Sequence, residues 1–401
     1  MKRLALVVPS LAKGGGVPSV ARFVRDAALS SGRFELKLIS LCMASREAGS
    51  RMITVPSTWL TGPAALAGEW EGLPFTHIGA NWAELEVQRY GRRKVLSEAL
   101  TDCDLIQVVC GSPAWANTVI GLGKPVSLQV ATRAKVERRR RDARPRSIQG
   151  WWRKAMTELT DRLDDRALRM VDAIQLENPW MLEYSKLLSK KPGVDIRYAP
   201  PGINARLFAP PPRRLPSPTP YVLCVGRLDD TRKNIGVLLD AFCRLPAELS
   251  HVQLVTAGSG RPPAEYWEKV VARGLTERVR HVHCPETAEL IDLYQQACVF
   301  ALTSDEEGLG VVILEAMACG VPVVATRCGG PEGIITDGKD GFLVPLDDAE
   351  AVAKRISLLC TDTGLNMAMG REARNTVEVR YAEEVAGRAF VEVWDLSLIH
   401  I

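Results

Sequence analysis

Apolar residues in this chain come in short runs, each bounded by a glycine, proline or polar turn and followed by a longer stretch with helical spacing. In the first half, Leu4–Val8, Glu35–Leu41, Asp104–Val109, Val126–Val130 and Ala173–Leu176 read as buried strands. Helices are predicted over Pro18–Ser30, with Gly32 at its end, and over Arg153–Arg169. A second series has strands at Tyr221–Val225, Gln253–Ala257, Val299–Ala301 and Val321–Thr326, and helices at Ile235–Leu245, Thr287–Gln296 and Val311–Cys319. Such alternation predicts an α/β protein with parallel doubly wound sheets. Between the two series, Ala209–Pro220 carries too much proline for a helix or a central strand. The expected organisation is therefore a first domain over 1–208, a linker over 209–220 and a second domain over 221–380. A terminal helix (Ala382–Trp394) and an apolar tail fill 381–401.

Length and composition agree with this division. A chain of 401 residues is long for a single core, and 46% hydrophobic with 24% charged residues suits a soluble globular protein. No apolar run reaches the ~20 residues that span a bilayer. Met1–Ser10 reads as a first strand rather than a signal peptide, because its apolar run stops at Pro9 without a small-residue cleavage pattern. The ten cysteines contain no C-x-x-C pair, and Cys110, Cys224, Cys298 and Cys319 sit in apolar segments; reduced, buried thiols and a cytoplasmic location are expected. The five histidines do not gather with them; His281 and His283 share one side of a strand and read as structural, so no metal site is expected. The net charge of +4 hides an imbalance. Residues 1–215 carry 34 Lys and Arg against 20 Asp and Glu, and the remainder 17 against 27. A basic half points to acidic partners such as phosphates or an anionic membrane surface.

The chemistry concentrates in Ser304–Thr326. Glu307 and Glu315 enclose seven residues, Gly308 and Gly310 make a turn, and Gly320 stops the helix that begins at Val311. Glu307 thus precedes the helix and Glu315 lies about one turn inside it. Between them, the N–H groups at the helix start carry partial positive charge and suit a phosphate. An anion cradle with a carboxylate on each side fits a ligand with hydroxyl-rich ends and a charged middle, as a nucleotide-sugar has.

This run resembles the E-x7-E signature of retaining glycosyltransferases of family 4, which have the GT-B fold. Three further segments follow in family order. Val225–Ile235 resembles the V-G-R-L…K-N segment, in which an Arg and a Lys hold the donor diphosphate; by position these are Arg227 and Lys233. Pro200–Asn204 with Phe208–Pro210 resembles the hinge before the second domain, with Pro201 where an asparagine often stands. Ala257–Gly260 resembles the G-x-G turn beside the nucleotide pocket and supplies Gly258. Gly14, Gly15 and Gly16 match the family's glycine loop near the donor phosphates. They do not make a dinucleotide fingerprint, since Ser19 stands where a third glycine would and no acid follows Leu41. A histidine that family members often carry after the Gly-Lys-Pro strand is replaced by Ala131, leaving Gln129, Thr132 or Arg133 as substitutes.

The resemblance implies two Rossmann-like domains facing each other across a cleft, and metal-independent transfer of a sugar with retention of configuration. No cofactor is expected, the nucleotide-sugar being a co-substrate. Glu315 would bind ribose hydroxyls and Glu307 the sugar near the reacting centre. The N–H groups of Leu309, Gly310 and Val311, with Arg227 and Lys233, would hold the diphosphate, where two cations offset the charge of the departing group. The acceptor would be a sugar or a lipid-linked molecule. Two rival classes stay open: another GT-B enzyme, such as an epimerase or phosphorylase, and a scaffold without activity.

Residues 133–154 break the alternation. Arg138, Arg139, Arg140, Arg141, Arg144, Arg146, Arg153 and Lys154 surround Trp151 and Trp152. The segment is either a solvated loop or a peripheral membrane contact, with arginines on headgroups and tryptophans in the interface. Nucleic acid is not an expected partner, because the charge comes without a recognisable module. A membrane contact would place the protein on the inner face of the membrane and favour a lipid-linked acceptor.

Overall fold

A computed structural model describes residues 1–11, 16–44, 46–82, 84–145, 147–189, 191–212 and 219–399. The chain divides into two compact units: Met1–Pro201 together with the segment from Ala386 onward, and Gly202–Val385.

The first unit holds an eight-stranded sheet. Its strands are β1 (Lys2–Pro9), β2 (Phe34–Leu41), β3 (Ala65–Trp70), β4 (Leu73–Ile78), β5 (Leu105–Cys110), β6 (Val126–Val130), β7 (Ala173–Leu176) and β8 (Asp195–Tyr198). They lie in the order β3-β4-β2-β1-β5-β6-β7-β8. All neighbours are parallel except β3 and β4, an edge hairpin whose turn residues Glu71 and Gly72 both have positive φ. Neither hairpin strand is legible in the sequence, because β3 is largely exposed, β4 mostly half-buried, and both carry only a weak alternation. Parallel strands need cover on both faces. Ala5, Val7, Ile106 and Val108 pack into one core, and Leu4, Leu6 and Val8 into the other with Val20 and Val24 of helix Gly16–Ser31.

Gly16, expected in the glycine loop, is the first residue of that helix. Gly14 and Gly15 lie outside the described residues. The C-terminal helix runs over Glu383–Ile399, past the expected end at Trp394. From Ala386 on it belongs to the first unit. Phe390 meets Phe23 edge-on at 5.2 Å, Trp394 meets Phe34 at 5.4 Å, and the indole N–H of Trp394 donates to Gln107 Oε1 at 2.7 Å.

The second unit has six parallel strands: β9 (Tyr221–Arg227), β10 (Gln253–Gly260), β11 (Val279–His283), β12 (Val299–Leu302), β13 (Val323–Thr326) and β14 (Gly341–Val344). Their order is β11-β10-β9-β12-β13-β14. The winding direction reverses between β9 and β12, the position at whose carboxyl edge open α/β sheets hold their ligands. The expected strand from Val321 starts at Val323, after the lead-in that follows Gly320.

The proline-rich stretch does not divide the units. Its described residues belong to the second unit, and the division falls earlier, after Pro201. Ile203, Ala205 and Phe208 are buried in the second unit's core, and Ile203 N–H donates to Tyr381 O at 2.7 Å. Packing, not proline content, sets the boundary.

Candidate functional site

The loops after β9 and β12 are stitched together along their length. Asp230 accepts from the backbone N–H of Arg232 at 3.0 Å and turns the chain after β9. The Arg232 guanidinium pairs with Asp230 at 2.7 Å and with Glu306 at 3.2 Å, while Asp305 N–H donates to Arg232 O at 2.8 Å. Asn234, left-handed at φ 46°, donates through its side chain to Asp305 at 2.9 Å and Asp347 at 2.8 Å. This lacing fixes where Lys233 and Glu307 point.

They point at each other. Lys233 Nζ donates to Glu307 Oε1 at 2.6 Å, and Ser304 Oγ donates to the same oxygen at 2.6 Å. The Glu307 side chain keeps only 12% of its surface exposed. Its backbone is tied on both sides, with its N–H on Cys328 O at 3.1 Å and its C=O receiving Gly330 N–H at 2.9 Å. Glu307, singled out in the sequence as the carboxylate before the helix, is therefore rigidly placed beside a cation. Ser304 is the partner that sequence reasoning missed; its place three residues before Glu307 was the available signal.

Arg227, at the end of β9, differs. Its side chain is 55% exposed, with the Asp230 carboxylate 3.5 Å away. Gly258 has φ 140°, and a Cβ there would stand 1.9 Å from Gly226 O, so the glycine turn is demanded by the approach of β9 and β10. Gly310 has φ 88° and leads into helix Val311–Ala318. Leu309 is buried in the core below, Val311 is half-buried, and Gly308 lies in the turn between Glu307 and the helix.

Glu315 faces a different setting. Tyr294, wholly buried on helix Thr287–Gln296 against Phe208 and Phe300, donates its hydroxyl to Glu315 Oε2 at 2.6 Å. Glu315 keeps some accessible surface, yet burial of the carboxyl pushes its pKa from 4.5 up to about 7, the Tyr294 hydrogen bond opposing the rise. Its proton is thus exchangeable near neutrality. Tyr294 could not be found from sequence, since a helical aromatic reads the same whether it fills a core or orients a carboxyl.

In the first unit, Arg133 is not available to replace the missing histidine. Its guanidinium is held by Asp161 at 2.9 Å and Asp165 at 2.6 Å and lies over the Tyr184 ring. Thr132 is buried, and Gln129 donates to Glu177 at 3.1 Å. Asp164, fully buried, receives Ser112 Oγ at 2.5 Å and the N–H groups of Ala114 and Ala134 at 2.7 and 2.8 Å. These bonds pin the loops after β5 and β6, while desolvation pushes its pKa up to about 6.

The arginine-tryptophan segment is folded rather than a loop. Ser147 caps a helix over Ile148–Met170, which starts earlier than expected and carries Trp151 and Trp152 in its first turns, 61% and 57% exposed. A short helix over Arg139–Asp142 precedes it. Arg138 is committed to Glu86 and is only partly exposed, whereas Arg139, Arg140 and Arg141 are exposed, Arg141 pairing with Asp142 at 2.9 Å. Arg146 lies outside the described residues. Among the described residues no helix is long and apolar enough to cross a membrane.

Residues 219–362 match the family model of glycosyl transferases group 1. A GDP-mannose-dependent alpha-(1-6)-phosphatidylinositol monomannoside mannosyltransferase of Mycolicibacterium smegmatis is 32% identical over 49% of this chain and 58% of that protein. A D-inositol 3-phosphate glycosyltransferase of Xylanimonas cellulosilytica is 34% identical over 50% of this chain and 51% of its own length. The matches thus span about half the length of these curated relatives. Among solved structures, sucrose-phosphate synthase from Thermosynechococcus elongatus superposes with a TM-score of 0.77 at 20% identity, covering all of both chains. Anabaena HepE, crystallised with UDP-glucose, gives 0.70 at 16% identity over 98% of this chain and all of its own. Residues 219–362 thus resemble the glycosyl transferases group 1 family, and the chain has the GT-B fold of these solved structures.

Proposed function

We propose that this protein is a glycosyltransferase that moves a sugar, with retention and without a metal, from a nucleoside-diphosphate sugar to an acceptor hydroxyl. The observation that carries this reading is the convergence of Lys233 and Ser304 on Glu307 at the point where the strand order reverses, one short turn from a helix start. There a cation suited to phosphate and an anchored carboxylate suited to sugar hydroxyls are presented together. Arg227, exposed at the end of β9, adds a second cation for the diphosphate. As the nucleoside diphosphate departs, negative charge grows on its oxygens, and these two side chains with the N–H groups around Leu309, Gly310 and Val311 offset it. Glu315, one turn deeper, accepts from ribose hydroxyls. Catalysis then consists of positioning and charge stabilisation, with the leaving phosphate assisting the incoming hydroxyl.

The relatives support a donor of this class: one is named for GDP-mannose, and HepE was crystallised with UDP-glucose. The mannosyltransferase is named for a phosphatidylinositol acceptor. That name and the exposed Trp151 and Trp152 among arginines favour a lipid-linked acceptor and an anionic membrane surface on the cytoplasmic side. The test is a thermal-shift screen of nucleotide-sugars, followed by an assay of nucleoside diphosphate release. A matching donor should raise Tm, and release should require an acceptor. Release with no acceptor dependence, or no donor that stabilises the protein, would overturn the proposal.

A further inference from the structure

The first unit exposes a second group of large apolar side chains that the sequence does not advertise. Ile53 is 42% exposed, Trp59 47% and Leu60 95%. They stand on a built loop. Trp59 donates its indole N–H to Met52 O at 2.8 Å and packs edge-on against Trp82 at 5.7 Å, and the Arg51 guanidinium lies over Trp82. Arg51 N–H donates to Ala80 O at 2.9 Å, and Trp82 N–H to Arg51 O at 2.8 Å, fastening the loop to the end of β4. A loop held this firmly presents Leu60 outward by construction.

Contacts run from this loop to the arginine helices. Leu85, 40% exposed, follows Trp82, and the adjacent Glu86 receives Arg138. Arg138 and Arg141 both reach Thr157 on helix Ile148–Met170, whose first turns expose Ile148 at 91% with Trp151 and Trp152. Exposed arginines 139, 140, 141 and 144 follow Arg138, which is bound to the first group's neighbour Glu86, and precede the exposed Ile148, Trp151 and Trp152 in the chain. Of the acids along the way, Glu86 is paired with Arg138 and Asp142 with Arg141, while Glu84 accepts from the backbone N–H and hydroxyl of Thr54 in the loop.

We propose that loop 53–60 and the start of helix Ile148–Met170 together dock this unit on an anionic bilayer, with Leu60 and Ile53 as a second insertion point. Single protruding apolar tips with cations between them suit a fluid interface, where tips enter the acyl boundary and guanidiniums bind phosphates. The proposal deepens the bilayer contact inferred from Trp151 and Trp152 and rests on it.

The test is sedimentation of the full chain with vesicles of phosphatidylcholine alone and of phosphatidylcholine with phosphatidylglycerol, alongside nucleoside diphosphate binding. Wild type should pellet with the anionic vesicles and less so in high salt. The double variant Ile53→Ser, Leu60→Ser should partition at least about tenfold more weakly, as loss of two inserted apolar tips implies. Trp151→Ala with Trp152→Ala should do likewise, and all four together should abolish pelleting. Met367→Ser, an exposed apolar residue of the second unit, should change nothing, and every variant should bind nucleoside diphosphate normally. Wild-type pelleting by the loop variant, with loss in the tryptophan variant, would overturn the second insertion point alone. No pelleting of wild type would overturn the bilayer contact itself. A concentration-dependent dimer that the loop variant abolishes, without lipid binding, would assign the face to a second copy of the chain and overturn the proposal.

Discussion

Replacing Glu315 by glutamine separates the stability of the second unit from its ligand binding. The Glu315 carboxyl loses its proton at 4.5 in an open chain and near 7 in the folded protein. Between those values the folded state binds more protons than the unfolded one, so stability falls as pH rises through the interval. Below 4.5 both states are protonated and nothing is lost; above 7 the full penalty is present. At 1.36 kcal/mol per pH unit the difference amounts to about 3 kcal/mol. Glutamine imitates the protonated acid, has nearly its volume, and still accepts from the Tyr294 hydroxyl. The variant should therefore match wild type near pH 4.5 and exceed it increasingly up to neutrality. For a unit this size, 1 kcal/mol moves Tm by about 2–4 °C, giving a gap of about 6–12 °C at the alkaline end. Nucleoside diphosphate affinity should fall at the same time by about ten- to a hundredfold, because hydrogen bonds to a charged acceptor become bonds to a neutral one. The assay is thermal unfolding of both proteins across this pH range, with calorimetric binding of the nucleotide. A Tm gap independent of pH, or a variant less stable than wild type above neutrality, would refute the buried-carboxyl argument.

Glu307→Gln should lower kcat by at least about a hundredfold, since it removes charge the reaction needs, and should also lower Tm, because the largely buried Lys233 loses its carboxylate; steady-state kinetics with a matched donor and thermal unfolding decide this. Arg227→Ala should weaken nucleoside diphosphate binding about tenfold without altering Tm, as its side chain is half exposed and supports no core. Activity should survive a metal chelator, and strict dependence on magnesium or manganese would contradict the assignment of the diphosphate to Arg227 and Lys233. Trp394→Ala should cost the first unit about 3–5 kcal/mol, read as a denaturation midpoint, because it empties a wholly buried site and strands Gln107.

What the sequence determined by itself is what depends on neighbours along the chain. Buried strands such as Leu4–Val8 and Tyr221–Val225 announce themselves because a parallel strand covered on both faces must be continuously apolar. The turn after Glu307 and the end of the helix that follows it were equally legible, since Gly310 and Gly320 stand there at positive φ, where other residues are strained. Edge strands β3 and β4 were not, because half-exposed positions impose little on composition. Only the tertiary structure decided what meets across long loops. Lys233 and Glu307 are 74 residues apart, and strand order puts β9 beside β12 to bring them to 2.6 Å. Tyr294 and Glu315 meet because two helices pack on the same face of that sheet. The division after Pro201 and the return of Trp394 to Gln107, 287 residues away, follow from which core buries Ile203, Phe208 and Trp394. Burial is a property of the assembled core, and its free energy has no address in local sequence.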